Sequence, residues 1–376
     1  MVRTILFDVD GVMLSEERYF DASALTVWEM LHSGKYLGLP GDAFTPAPDE
    51  ATIRRVRQTV FSNDEVLRFL KARGTNSNWD MVFLSFSYQL IRLCQYLREK
   101  HPAAAELLTG QINRAKLAQV ADWAREAGDF AIDYKAFVAD FGKGNAEKAE
   151  LLLYLNQIAG ERCGVETRIF SRNSELWELC QQTFQEWYLG DDLIAGSIGR
   201  ETFQPGKKGF LTDEIPIVEP AKLREILLEL KAKGLTLGIG TGRPTIETHV
   251  PLKELGLLEL FEADRVVTAS HVLDAETAYP QSAPLSKPHP YSYVKGYLGL
   301  DKPDAEVLNQ PLPLPGAEEI LIVGDSLADL MAARKMGCRF AATLTGLSGK
   351  EARSTFEKEK ADYILEDVGE ILTIFS

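Results

Sequence analysis

Residues Thr4-Ile5-Leu6-Phe7-Asp8-Val9-Asp10-Gly11-Val12-Met13-Leu14 decide how the rest of the chain is read. The run Ile5-Leu6-Phe7 is apolar, with a β-branched and an aromatic member, and reads as a short buried strand. It ends in two carboxylates at i and i+2, followed by a glycine. Strand alternation puts Asp8 and Asp10 on one face, while Gly11 lets the chain turn out of the sheet. Two acids at the end of a buried strand are unfavourable unless a cation or a shared proton offsets them. The stretch is therefore either a polar strand-to-loop turn or part of a site.

Outward from this stretch, a chain of 376 residues has room for two domains at about 150 residues each. The net charge of -14 argues against a non-specific nucleic-acid binder, because phosphate backbones recruit basic surfaces. A small anionic substrate is compatible with it if the site is locally positive. Cys94, Cys163, Cys180 and Cys338 are scattered without a C-x-x-C pair, which points to neither zinc nor a disulfide framework. The N-terminal apolar run is broken by Asp8 and Asp10 and is not a signal-peptide core. No stretch reaches the ~18 apolar residues of a membrane span, so a cytoplasmic location without membrane contact is expected.

After Leu14 the texture is helical. Apolar residues recur at helical spacing near 19–33, 50–72, 78–99, 114–126, 146–160 and 174–188, with Asn78 and Ser174 as expected N-caps. Residues 15–203 therefore read as an all-helical domain inserted after the first strand. Trp79, Trp123, Trp177 and Trp187 belong to its core on this reading. The turn-rich stretch 204–209 reads as the return connection; with 11–18 it would form a natural hinge.

From 220 onward, within a core domain taken as 1–14 and 210–376, strands alternate with helices, which implies parallel βαβ units. Strands are expected at 235–239, 265–268, 319–323, 339–343 and 362–365. A proline-rich loop is expected before the third of these.

Ligands in such sheets sit beyond the carboxyl ends of the strands. Those ends carry Asp8 and Asp10, then Thr241-Gly242, then Asp325 and Asp329; Lys287 opens a helix after a proline-bounded turn. Each signal is weak alone. Together they suit phosphoryl transfer: carboxylates for a hard divalent cation such as Mg²⁺ rather than zinc, one aspartate to attack phosphorus, a second to move the proton, and a hydroxyl, backbone N–H groups and an amine for the phosphoryl oxygens.

The four motifs, Phe7-Asp8-Val9-Asp10-Gly11-Val12, Ile239-Gly240-Thr241-Gly242, Lys287-Pro288 and Val323-Gly324-Asp325-Ser326-Leu327-Ala328-Asp329, resemble in order those of the haloacid dehalogenase-like hydrolase superfamily. The match covers the core, 1–14 and about 210–376, and is much weaker over 15–203. The resemblance implies a Rossmann-like parallel-sheet core with a helical cap. It implies Asp8 as nucleophile, Asp10 as general acid/base, and Thr241, Gly242 and Lys287 as phosphate ligands. It further implies Mg²⁺ held by Asp8, the Asp10 backbone carbonyl, Asp325 and Asp329.

Dehalogenases of the superfamily lack the second aspartate, so Asp10 disfavours carbon–halogen cleavage. Gly11-Val12-Met13-Leu14 stands where P-type ATPases carry Lys-Thr-Gly-Thr. The chain is most similar to the phosphatase and β-phosphoglucomutase branch, though its insert is far larger than usual there. A phosphomonoesterase acting on a small phosphorylated metabolite is expected. A phosphomutase, or a non-catalytic phospho-ligand or partner-binding module, are the alternatives. Arg243 is expected to pair with a surface carboxylate and His289 to be a helix-start residue.

Overall fold

The structure is a computed structural model that describes residues 2–375 apart from 76, 129, 199 and 200, with the side chains of 196–198 also undescribed. The chain forms two compact units, residues 1–16 with 211–376, and residues 17–210.

The first unit is built on six strands: β1 (Thr4–Phe7), β2 (Thr236–Gly240), β3 (Val266–Val267), β4 (Ile320–Gly324), β5 (Arg339–Thr343) and β6 (Tyr363–Leu365). They form one sheet in the order β3-β2-β1-β4-β5-β6, and every pairing is parallel. Parallel pairing requires a crossover between neighbours, here usually a helix. β1 is central, so both of its faces must be covered, and its sequence is apolar throughout. Ile5 and Phe7 pack into one core with Leu237, Ile239, Leu321, Val323 and the helix Pro220–Ala232. Leu6 points the other way, into a second core with Ile320, Ile322, Phe340, Tyr293 and Met336. Each such large apolar side chain contributes about 1.5–3 kcal/mol on burial.

The expected strands are present within a residue or two of their anticipated bounds. Two details differ. The proline-rich stretch contains a short helix at Asp304–Leu308, where Pro303 fixes φ at the turn into it. After the last strand comes a 3-10 run, Val368–Phe375, in place of an α-helix.

The second unit is helical among its described residues, with no strand. The span 50–72 is two helices, Glu50–Val60 and Glu65–Ala72, because Ser62, Asn63 and Asp64 adopt positive φ between them. Ser77, not Asn78, caps Asn78–Leu97, accepting from the Asp80 amide. Ser174 caps Glu175–Leu189 as expected. Trp177 and Trp187 are buried, and all four cysteines are free and buried. Among the described residues no helix is long and apolar enough to cross a membrane.

Residues 204–209, expected as a connection, are bound to this helical unit. Lys207 is fully buried between Glu29 (2.9 Å) and Glu186 (2.7 Å). Glu186 also accepts from the Phe203 and Gln204 amides, and the Phe210 amide donates to the Tyr188 carbonyl. One ammonium faces two carboxylates, and burial pushes Glu29 up to about 7, against the pull of Lys207. The folded unit thus binds a proton on Glu29 that the unfolded chain, with an ordinary glutamate, releases nearer pH 4.5. Stability from this group is full below that lower value and is lost as pH rises towards 7. Urea unfolding of Glu29→Gln is expected to lose this fall between pH 5 and 7.5, gaining on the order of 1 kcal/mol relative to the parent at the upper pH.

Candidate active site

The register of the sheet assembles the site. Phe7 pairs with Ile239 on one side and Val323 on the other. Asp8, Thr241 and Asp325 follow within two residues of these partners and leave the sheet at the same carboxyl rim. The Asp8 amide still donates to the Val323 carbonyl, so the backbone at Asp8 is held by the sheet before the chain turns at Gly11, whose φ of 65° suits a residue without Cβ.

Asp8, Asp325 and Asp329 each offer a carboxylate oxygen within 4.8 Å of the other two. Lys287 joins them, with Nζ at 3.0 Å from Asp8 Oδ2 and 2.8 Å from Asp329 Oδ1. The other Asp8 oxygen, Oδ1, accepts from the Val9 amide at 2.8 Å. Burial pushes the Asp8 carboxyl up to about 7, with Lys287 opposing and Asp329 and Asp10 adding to the rise. For Lys287 burial works downward, but the carboxylates of Asp329 and Asp8 outweigh it and hold the amine above its ordinary value.

Asp329 is fully buried and heavily engaged. Besides Lys287, its Oδ1 accepts from the Tyr293 hydroxyl at 2.7 Å, and its Oδ2 from Ser326 Oγ at 2.6 Å. The Lys287 ammonium also lies 4.8 Å from the centre of the Tyr293 ring. Tyr293 occupies the place where Gly240 has no side chain, since a Cβ there would come within 2.6 Å of the ring. Gly240 and Tyr293 thus make the floor on which Lys287 rests.

Asp325 is wedged between two glycines. A Cβ on Gly11 would stand 2.3 Å from Asp325 Oδ2, and one on Gly346 only 2.0 Å away. The Gly11 carbonyl is anchored by Thr343 Oγ1 at 3.0 Å and Thr345 Oγ1 at 2.5 Å. Three carboxylates, one cradled by glycines and none accompanied by a sulfur or imidazole donor, suit a hard divalent cation.

The other expected residues are placed as follows. Thr241 is buried, and its hydroxyl accepts from the Arg243 amide at 3.1 Å. Gly242 is exposed, with open space where a Cβ would stand. Neither is joined to the carboxylate cluster by a hydrogen bond among the described residues. The Asp10 side chain lies outside that cluster and is held by Arg243. His289 is a helix-start residue, its Nδ1 accepting from the Tyr291 amide.

Arg243 departs most from expectation. It is buried and binds Asp10 and Glu214, not a surface carboxylate. Its position two residues after Thr241 was the available signal, but nothing in the local sequence points to a partner 233 residues away. Tyr293 and Gly346 carried no signal at all, because their importance comes from a contact across the fold.

The carboxyl rim of the parallel sheet thus gathers carboxylates, a lysine and a hydroxyl. The model of the haloacid dehalogenase-like hydrolases matches residues 2–337, and the chain belongs to that family. It is 29% identical over 155 residues to a phosphoglycolate phosphatase of Pasteurella multocida, covering 40% of this chain and 55% of that one. It is 32% identical over 168 residues to the pyrophosphatase PpaX of Bacillus cereus, covering 44% and 62%. The match thus spans little more than half the length of these curated relatives. Over the whole chain it is similar to an X-ray structure of a Northeast Structural Genomics Consortium target, with 37% identity, a TM-score of 0.88, and coverage of 100% and 98%.

Gly346→Ala tests the cradle around Asp325. The added methyl is expected to displace the carboxylate, and any divalent-cation affinity that calorimetry finds in the parent is expected to fall at least about tenfold, about 1.4 kcal/mol, with an unchanged circular dichroism spectrum.

Proposed function

We propose that the protein is a Mg²⁺-dependent phosphomonoester hydrolase acting on a small phosphorylated metabolite through an aspartyl-phosphate. The observation that carries this reading is the Asp8 carboxylate, buried at the end of the central strand, with one oxygen on a backbone amide and the other on Lys287. That arrangement orients a nucleophile while a neighbouring cation offsets its charge and that of an incoming phosphate.

Asp8 attacks phosphorus in line, and Asp10 protonates the leaving oxygen. Asp10 then takes a proton from the water that hydrolyses the aspartyl-phosphate. Lys287, held in place by Asp329 and Tyr293, stabilises charge on the transferring group. Thr241 and the Gly242 backbone bind its remaining oxygens. Asp8, the Asp10 carbonyl and Asp325 would hold Mg²⁺, which neutralises phosphoryl charge when bound. Asp329, accepting from Tyr293 and Ser326 and ion-paired with Lys287, would support the cation. Residues 15–203 would serve as the cap, and the cytoplasm as the location. The relatives named as phosphoglycolate phosphatases make 2-phosphoglycolate the first alkyl phosphate to test.

Phosphate release from 4-nitrophenyl phosphate and from 2-phosphoglycolate is expected to require Mg²⁺ and to stop on chelation. Asp8→Asn is expected to lower turnover at least about 10³-fold, since the amide cannot act as the nucleophile. Absence of release from these and from a broad metabolite panel, or full turnover by Asp8→Asn, would overturn the reading.

A further inference from the structure

Asp10 and Asp8 are separated by one residue, yet their side chains meet different environments. Asp8 faces Lys287. Asp10 faces Arg243, whose Nε and Nη2 both converge on one carboxylate oxygen, Oδ1, at 2.8 and 2.6 Å. A fork that bound both oxygens would engage each of them in a hydrogen bond. Here Oδ2 accepts no hydrogen bond from any described residue, while rotation of the carboxylate is fixed by two donors on its neighbour.

Arg243 is itself fixed. It is 1% exposed, its Nη1 donates to Glu214 Oε1 at 2.6 Å, and the same nitrogen donates to the Glu247 carbonyl. Glu214 is 2% exposed. It lies one residue before Ile215, whose carbonyl accepts from the Ser15 amide, and the Ile217 amide donates to the Met13 carbonyl. Leu14 bridges Pro216 in the same ribbon. The outgoing chain after Asp10 and the returning chain at Glu214 are thus stitched together by backbone, and Arg243 joins them by side chain.

We propose that Arg243 is the positioning residue for Asp10: it occupies Oδ1 and so reserves Oδ2 for the proton in transit, with Glu214 anchoring the guanidinium. This deepens the phosphatase reading above and rests on it. The step is balanced. The Asp8–phosphorus bond forms as the phosphorus–oxygen bond to the leaving group breaks, and the proton on Asp10 Oδ2 moves to the departing oxygen. In the second half, water gives its proton to Oδ2 while its oxygen displaces Asp8 from phosphorus.

A leaving group that needs no proton discriminates this role from a merely structural one. Single-turnover cleavage is measured with Mg²⁺ for 4-nitrophenyl phosphate, whose phenolate leaves unaided, and for 2-phosphoglycolate, whose alkoxide does not. Asp10→Asn sets the benchmark. In Arg243→Met, alkyl cleavage is expected to fall about 10²-fold or more, within the range of general acid catalysis, and aryl cleavage less than about tenfold. Arg243→Lys is expected to restore part of the alkyl rate, and Glu214→Gln to show the same selective loss more weakly. If Arg243→Met does not fold, the last two variants carry the comparison. Equal loss on both substrates, or no loss in variants where Asp10→Asn shows the selective one, overturns the role of Arg243 and leaves the phosphatase reading standing. Absence of Mg²⁺-dependent cleavage by the parent protein overturns both.

Discussion

The α/β unit is organised around one electrostatic constraint: acidic side chains gathered at the carboxyl end of the central parallel strand. Carboxylates brought this close repel, and burial removes the water that would otherwise screen them. Lys287 is the protein's own answer. Its ammonium sits between Asp8 and Asp329, and it is placed there by a tyrosine floor that exists only because Gly240 has no side chain. Asp10 is answered separately, by Arg243. The two cations divide the acids into two groups, so Asp8 and Asp10 meet different electrostatic surroundings although one residue separates them.

The compensation is partial. Asp8 remains displaced upward to about 7, so the cluster keeps an unmet demand for positive charge. The carboxylates of Asp8, Asp325 and Asp329 are of the kind that could hold a hard divalent cation, and the glycines on either side of Asp325 leave room for its carboxylate. The same physics appears in the helical unit with a different outcome. There Lys207 faces Glu29 and Glu186 in full burial, and burial raises the Glu29 carboxyl to about 7, which favours its protonated form. That trio closes the return segment onto the helices.

Much of this was legible in the linear sequence. Strand ends can be read because a buried parallel strand is an apolar run that stops at polar or turn residues, and Ile5-Leu6-Phe7 before Asp8 and Leu321-Ile322-Val323 before Asp325 obey that rule. The candidate residues Asp8, Asp10, Thr241, Lys287, Asp325 and Asp329 could be named from those ends and from their order. Helix boundaries were harder where backbone geometry intervened, as at Ser62-Asn63-Asp64, whose three positive φ values split an apparently continuous helix. In the 204–209 stretch Pro205, Gly206 and Gly209 speak of turns, but the buried ion pairs of Lys207 could not be read from it, because a charged side chain in a turn-rich stretch is assigned to solvent.

By itself, then, the sequence determined the chemical inventory and its order along the chain, because local periodicity and strand-end carboxylates are properties of neighbouring residues. What only the tertiary structure decided is the partnering: Lys287 with Asp8 and Asp329, Arg243 with Asp10 and Glu214, Gly346 against Asp325. Each of these joins positions far apart in sequence through ion pairing or a close approach. Such contacts are selected by the summed geometry of the parallel sheet and its loops, and no local pattern encodes them.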